Sequence, residues 1–120
     1  MTGPHDVRWD DLPVEQVNAL IGRQMFHTET MTVARILLEK GGVVPRHHHV
    51  HEQVSTVIEG RLRFVLGDEE LLVEPGQTLT IPSELPHEVE ALETSVVLDV
   101  FSPVRDDWVR GDDAYLRGEL

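Results

Sequence analysis

From about residue 30 the chain is a series of short apolar runs separated by glycine and proline, which leaves little room for a long amphipathic helix. Many short strands with turn signals between them are typical of an all-β sandwich or barrel. The turn signals are Gly41-Gly42, Gly60, Gly67-Asp68, Pro75-Gly76 and Pro82. The predicted strands are 31–38, 54–58, 62–66, 71–73, 78–81, 87–91 and 96–101.

The two ends of the chain are less regular. We predict a further strand at 19–27, a strand or short helix within 9–19, and a short helical turn at 106–110, after which the tail crosses the surface. The predicted division is an N-terminal extension packed on the barrel (1–29), the barrel (30–103) and a C-terminal tail (104–120). The sequence leaves open whether the extension is exchanged between subunits.

The bulk properties exclude several classes of protein. At 120 residues the chain has room for one core. It has no cysteine, which excludes disulfides and thiolate metal sites. A net charge of -12 argues against nucleic acid or an anionic membrane as partner, so an anionic substrate needs positive charge from a metal or from arginine. No signal peptide or transmembrane run is evident, so we expect a cytoplasmic protein.

Histidines are concentrated in residues 47–51, and this cluster predicts a metal site. His47, His49 and Gln53 share one parity, so on an extended strand their side chains point to one face. His51 has the same parity and competes for a ligand position, whereas His48 points the other way. Neutral imidazole is a common ligand of transition metals. An interrupted strand would change these assignments.

A second candidate feature is a carboxylate inside an apolar strand. Asp99 lies between Leu98 and Val100, where an ionised carboxylate is costly to bury without a partner. It therefore has a specific partner or takes part in proton chemistry, although a salt bridge or turn cap would also explain it. Phe101 shares its parity and either lines the same cavity or packs in the core. Arg105 offers a forked donor to a substrate carboxylate, or lies on the surface.

Six further residues have structural explanations at least as good as functional ones. The two arginines could reach the barrel mouth or form ion pairs. The two methionines could line a pocket or fill the core. The two tryptophans could cover the barrel or a subunit contact. These residues are Arg35, Arg63, Met25, Met31, Trp9 and Trp108.

The spacing around the histidine cluster resembles the first motif of the cupin superfamily. That motif is a glycine, five residues, His-x-His, three or four residues, glutamate, six residues and glycine. Here it corresponds to Gly41, His47, His49, Gln53 and Gly60, with glutamine in place of glutamate. A neutral amide leaves the full charge of a divalent metal to act on water or substrate, and makes the site a poorer match for the two-His, one-carboxylate Fe(II) triad.

The second cupin motif is matched in part. Gly76, Pro82 and His87 have its spacing, whereas Glu84 and Ala91 stand where glycine and asparagine are usual. The resemblance implies a double-stranded β-helix, or jelly-roll, barrel that is commonly dimeric. It also implies that His47, His49, Gln53 and His87 bind a divalent metal; nickel, iron, manganese, zinc and cobalt are all compatible.

The segment from Leu98 to Arg105 narrows the resemblance. Its Leu-Asp-Val-Phe-Ser-Pro-x-Arg sequence, with the His-x-x-x-Gln motif, is similar to the pectin-degradation cupins that linearise 4,5-unsaturated monouronates. That resemblance implies a catalytic Asp99 and Phe101 and an active-site Arg105. It predicts a homodimeric enzyme acting on a small, anionic, oxygen-rich substrate. The alternatives are an Fe(II) dioxygenase, a cyclase or isomerase, and a non-catalytic cupin that binds a small ligand.

Overall fold

The computed structural model describes residues 5–117, which form two antiparallel β-sheets and short helices. A 3-10 helix at Trp9–Asp11 precedes the first strand. The strands are β1 (Glu15–Asn18), β2 (Ile21–His27), β3 (Thr32–Leu38), β4 (Val43–His47), β5 (Glu52–Glu59), β6 (Leu62–Leu66), β7 (Glu69–Val73), β8 (Thr78–Ile81), β9 (His87–Ala91) and β10 (Ser95–Ser102). Two short helices, α1 (Asp106–Val109) and α2 (Ala114–Arg117), follow β10. The predicted all-β jelly roll with a helical turn near its C-terminus is confirmed.

β3, β5 and β6 alternate buried and more exposed residues over most of their length, as a strand with one face on a core requires. In β3 the alternation is unbroken, with Ala34, Ile36 and Leu38 pointing inward. The tight turn after β5 depends on Gly60, whose φ is +90°. A Cβ there would overlap the hydroxyl of Ser95, so a side chain would clash with the start of β10.

Strand order brings the predicted site residues together. The six-stranded sheet runs β1-β2-β3-β10-β5-β8 and the four-stranded sheet β4-β9-β6-β7. In the larger sheet Asp99 pairs with Ser55, and Phe101 pairs with Gln53. In the smaller sheet the end of β4 meets the start of β9, which places His47 opposite His87. The connection between β4 and β5 joins the two sheets, so the site lies between them.

The predicted strands in residues 30–101 are found with boundaries shifted by at most a few residues, but β4 and α2 were not among the predicted elements. β4 has no alternation of burial and contains Pro45, so its residues carry no period of two. The described part of the N-terminal extension supplies β1 and β2 to the larger sheet. Residues 1–4 of that extension and 118–120 of the tail lie outside the described residues. No helix within 5–117 has the length and apolar character needed to cross a bilayer.

Candidate metal centre

Three histidines converge between the two sheets. His47 ends β4, His87 begins β9, and His49 lies in the connection that follows β4. One ring nitrogen from each of the three lies within 4.8 Å of the others. The rings of His47 and His87 are closest, with centroids 4.3 Å apart. Ring nitrogens this close together are compatible with a single ion held by all three side chains.

Backbone carbonyls orient all three rings in the same way. In each case Nδ1 donates to a carbonyl two residues away, from His47 to Pro45 at 2.8 Å, from His49 to His51 at 3.0 Å, and from His87 to Leu85 at 2.8 Å. With the proton on Nδ1, the lone pair is on Nε2. A hydrogen bond of this kind to the second nitrogen commonly fixes the tautomer of a metal-binding histidine.

The environment keeps these imidazoles neutral. Burial is the largest cause that lowers the pKa of His47 to about 4 and that of His49 to about 3, and it also lowers the pKa of His87. The Nε2 atom of His87 is buried and has no hydrogen-bond partner among residues 5–117. A buried, unprotonated nitrogen without a partner is costly unless a cation takes its lone pair.

Gln53 supplies an oxygen beside the histidines. Its Oε1 lies 3.1 Å from Nε2 of His49, and the side chain is buried. Three neutral imidazole nitrogens and an amide oxygen suit a first-row transition metal, and they do not select one metal among these. The residues present therefore fit the metal that the sequence motif implies.

The connection from His48 to His51 is not part of a strand, so the prediction that strand parity aligns the ligands was wrong. β4 ends at His47 and β5 begins at Glu52, and the intervening turn brings His49 to the cluster. His51 is buried but is outside the group of three, and Nδ1 of His51 has no hydrogen-bond partner among residues 5–117. The side chain of His48 is 63% exposed.

Glu84 holds the turn before β9 against this connection. Its backbone N–H donates to the carbonyl of His49 at 2.8 Å. Its φ is +67°, in the left-handed region, which explains why the cupin motif usually has glycine at this position. Glu84 therefore adopts a backbone conformation that glycine takes at lower cost.

Asp99 lies at the wall of a cavity that His47, Gln53 and His87 also line. Ser55 donates its hydroxyl proton to Oδ1 of Asp99 at 2.5 Å. Burial raises the pKa of Asp99 to about 6, while the side chains of Ser55 and Gln53 and the charge of Arg105 oppose a larger rise. No salt bridge involving Asp99 is found within residues 5–117, in contrast to the structural alternative considered above. A carboxyl with this pKa can exchange a proton near neutral pH.

Arg105 is buried at the same cavity, which excludes the surface position that was its alternative. Its Nε and Nη2 donate to the two carboxylate oxygens of Asp107 at 3.0 Å and 2.8 Å. The guanidinium lies 4.7 Å from the ring centroid of Phe101. Phe101 in turn packs edge-on against His49, with 5.8 Å between the ring centroids. Phe101 therefore connects the histidine cluster with the arginine.

Two cavity residues from the C-terminal tail were not predicted as site residues. Trp108 was expected on the barrel surface or at a subunit contact, but it is buried. The guanidinium carbon of Arg105 lies over its ring, 4.2 Å from the ring centroid. Tyr115 stacks on His47, with ring centroids 4.6 Å apart. Its hydroxyl accepts hydrogen bonds from Arg105 Nη2 at 2.9 Å and from Trp108 Nε1 at 3.1 Å. The only sequence signal for them was that aromatic residues follow the Asp99 strand.

The remaining candidates lie away from the cavity or fill ordinary structural positions. Arg35 donates to Gln24, and Arg63 pairs with Glu70 and Glu90; neither arginine lines the cavity. Met25 packs against the core, Met31 is 39% exposed, and Trp9 packs against Phe26.

Known proteins share this architecture. The Cupin_2 model, which describes a cupin domain, matches residues 34–101, more than half of the chain. The pectin degradation protein KdgF of Dickeya dadantii (strain 3937) is 26% identical over 103 residues, covering 83% of this chain and 94% of the relative. The structure of KdgF from Halomonas sp. is 31% identical, with a TM-score of 0.79 over 82% of this chain and 94% of that one.

An RmlC-like cupin from Shewanella frigidimarina NCIMB 400 has a TM-score of 0.83 and 24% identity, covering 88% of this chain and 96% of that one. At this identity the likeness concerns the fold. The family match, by contrast, includes the segments that carry His47, His49, Gln53, His87 and Asp99. The chain therefore belongs to the cupin domain family.

Proposed function

We propose that this protein is a metal-dependent enzyme that linearises 4,5-unsaturated monouronates. The observation that carries the proposal is that one cavity is lined by His47, Gln53 and His87, by the titratable Asp99 and by the cationic Arg105. The similarity to two KdgF proteins, one of them named as a pectin degradation protein, supports a substrate derived from a uronate polysaccharide.

The proposed reaction is a net isomerisation. The substrate is a cyclic hemiacetal whose ring oxygen also belongs to an enol ether. Linearisation breaks the bond between the ring oxygen and the hemiacetal carbon, and that carbon becomes an aldehyde as its hydroxyl loses a proton. A proton is added to the alkene carbon remote from the ring oxygen, and the other alkene carbon becomes a ketone. One proton is lost and one is gained, so the enzyme needs acid–base groups and no redox partner.

Asp99 is the proposed proton-transfer group. It lines the cavity, and burial raises its pKa to about 6, so both of its protonation states are accessible near neutral pH. The hydrogen bond from Ser55 fixes one carboxylate oxygen. In the proposed reaction the other oxygen exchanges the proton with substrate or water. Asp99 is therefore suited to take the hydroxyl proton and to deliver a proton to carbon.

Arg105 is proposed to orient the substrate carboxylate. Its Nε and Nη2 are held by Asp107 and Tyr115, whereas Nη1 makes no hydrogen bond to any of the described residues. The stacking of the guanidinium on Phe101 and Trp108 fixes the direction in which Nη1 points. Such a positioned donor binds a carboxylate with little loss of side-chain freedom.

His47, His49, His87 and Gln53 would hold the metal. A divalent metal bound there supplies Lewis-acid stabilisation of negative charge on substrate oxygens. Because all four donors are uncharged in this environment, none of them offsets the charge of the metal. Arg105 adds a second positive charge to the cavity of a chain whose net charge is -12.

Turnover of the proposed substrate is the direct test. Metal-reconstituted protein is mixed with 4,5-unsaturated galacturonate or mannuronate monomers, and loss of the ring double bond is followed by ultraviolet absorbance. We expect Asp99→Asn to lower turnover by at least about 100-fold, the usual contribution of a positioned acid or base. His49→Ala should lower it comparably, whereas His48→Ala, which removes an exposed neighbour, should change it less than about twofold.

The same assay without oxygen separates the proposal from a dioxygenase. An isomerisation consumes no oxygen, so the rate should be unchanged in an anaerobic chamber. Absence of turnover in fully metallated, folded protein would exclude this substrate class. Near-normal turnover by Asp99→Asn would exclude Asp99 as the essential acid or base.

A further inference from the structure

The orientation of the Gln53 side-chain amide determines whether an oxygen or an NH₂ group faces the histidines. Its Oε1 is 3.1 Å from Nε2 of His49. The proton of His49 is on Nδ1, because that nitrogen donates to the carbonyl of His51, which can only accept. Both atoms of the 3.1 Å contact are therefore acceptors, and no hydrogen lies between them. Such a contact is favourable when a cation binds both lone pairs.

A flipped amide would satisfy His49 without a metal, since NH₂ would then donate to Nε2. Hydrogen bonds on the other side of the Gln53 amide prevent the flip. Its Nε2 donates to Oγ of Ser55 at 3.0 Å, and Ser55 donates its own proton to Asp99 at 2.5 Å. When Asp99 is ionised it can only accept, so the single hydrogen of Ser55 is donated to it and the serine oxygen can then only accept. The group facing it must be the NH₂ of Gln53.

We propose that Ser55 is a positioning residue that turns the amide oxygen of Gln53 toward the metal and thereby links the metal ligands to Asp99. The inference rests on the proposed metal site and goes beyond it, because it assigns a role to a residue that does not contact the metal. Strand register makes the arrangement possible: Ser55 pairs with Asp99 across β5 and β10, and it lies two residues from Gln53 on the same face.

Ser55 is fully buried, and it is hydrogen-bonded to two further buried side chains, those of Gln53 and Asp99. The chain from His49 through Gln53 and Ser55 to Asp99 has one consistent set of donors when the amide oxygen faces His49. If the amide flips, its oxygen faces the oxygen of Ser55 while the proton of Ser55 is held by Asp99. That arrangement places two acceptors in contact, which the buried site disfavours.

A double-mutant cycle tests this role through metal affinity. Metal-free protein is titrated with Co²⁺ by calorimetry, and the visible Co²⁺ spectrum reports the ligand set. Ser55→Ala should weaken Co²⁺ binding by about tenfold, as loss of a group that orients a ligand typically does. In a Gln53→Glu background the same Ser55→Ala change should alter affinity less than about threefold, because a carboxylate presents oxygen in either orientation.

An equal loss of affinity in both backgrounds would show that Ser55 acts through packing, and would overturn the inference. No loss in the Gln53 background, or no Co²⁺ binding by the parent protein, would overturn it as well. Thermal unfolding of each metal-free variant checks that it is folded. The measurement of Co²⁺ affinity does not involve the substrate. If Ser55→Ala weakens Co²⁺ binding only in the Gln53 background but the protein does not turn over uronates, the proposed reaction alone is rejected. If the protein turns over uronates but Ser55→Ala has the same effect in both backgrounds, the role of Ser55 alone is rejected.

A measurement on the unsubstituted protein avoids any folding defect of the variants. In the Zn²⁺-loaded protein, nuclear Overhauser effects from the side-chain NH₂ protons of Gln53 should reach the β-protons of Ser55. Effects from those NH₂ protons to the His49 ring, in place of Ser55, would mean that nitrogen faces the histidines, and the inference would be wrong.

Discussion

Asp99 is a carboxylate set in the middle of the larger sheet, between β3 and β5. Its cross-strand neighbours are Ala34 and Ser55, and the hydrogen bond from Ser55 offsets only part of the cost of burial. Burial raises its pKa to about 6 from an ordinary value of 3.8. A carboxyl held in this way stabilises the fold when protonated and opposes folding when ionised.

This shift predicts how Asp99→Asn changes stability with pH in the metal-free protein. The stabilisation from protonated Asp99 is fully present below about pH 4 and is lost as pH rises through about 6. From pH 4 to pH 8 the variant should gain about 2 kcal/mol in free energy of unfolding relative to the parent, because the pKa of Asp99 is higher in the folded than in the unfolded chain. Urea unfolding at both pH values measures it. Asp68→Asn, at an exposed turn, is the control, and an equal trend in both variants would contradict the assignment.

At the scale of elements, the C-terminal segment (residues 103–117) closes one side of the cavity. α2 and the preceding Asp113 are attached to β1 and β2 by ion pairs, in which Asp113 contacts Nη2 of Arg23 at 2.9 Å and Nη2 of Arg117 contacts Glu15 at 3.1 Å. Asn18 adds a hydrogen bond from its side chain to the carbonyl of Leu116 at 3.0 Å. The position of Tyr115 over His47 therefore depends on contacts made on the far side of α2.

Asp113→Asn should release this attachment. Arg23 is 2% exposed, and without Asp113 its buried guanidinium keeps only Glu15 among its acidic partners in residues 5–117. Removing one partner of a buried ion pair typically costs about 3 kcal/mol. Asp112→Asn is the matched control, because the Asp112–Arg110 pair is exposed and should contribute less than about 0.5 kcal/mol. Urea unfolding distinguishes them, and equal losses would show that the buried network contributes little.

The accuracy of the predictions made from the sequence also differs among elements. β6, β8 and β9 were predicted with their observed limits, because glycine, proline and a period of two mark them. β4 follows the Gly41-Gly42 turn, but it has no period of two and Pro45 lies inside it. The motif spacing named the three converging histidines and Gln53, whereas Tyr115 and Trp108 reach the cavity through contacts between segments about ninety residues apart, such as Arg23 with Asp113. No local pattern encodes contacts of that kind.

At the scale of the whole molecule, surface apolar residues are scattered over several elements. Val14, Val43, Ile58, Leu72 and Val109 are each at least 45% exposed. The terminal strands of the two sheets are β1, β8, β4 and β7, each paired with a single strand within the described structure. Homodimerisation, expected from the resemblance to dimeric cupins, stays a prediction.

Metal binding couples the site to the stability of the whole fold. The ligands come from two sheets and the connection between them, so they are together only in the folded chain, and a metal that binds them stabilises that state. Co²⁺ at a hundredfold excess over its dissociation constant should add about 2.7 kcal/mol, which for a domain of this size raises Tm by about 10 °C. His49→Ala should abolish the shift, whereas His48→Ala should keep it, because His48 is exposed and lies outside the cluster. Differential scanning fluorimetry with and without Co²⁺ measures both, and a shift that survives in His49→Ala would place the metal elsewhere on the protein.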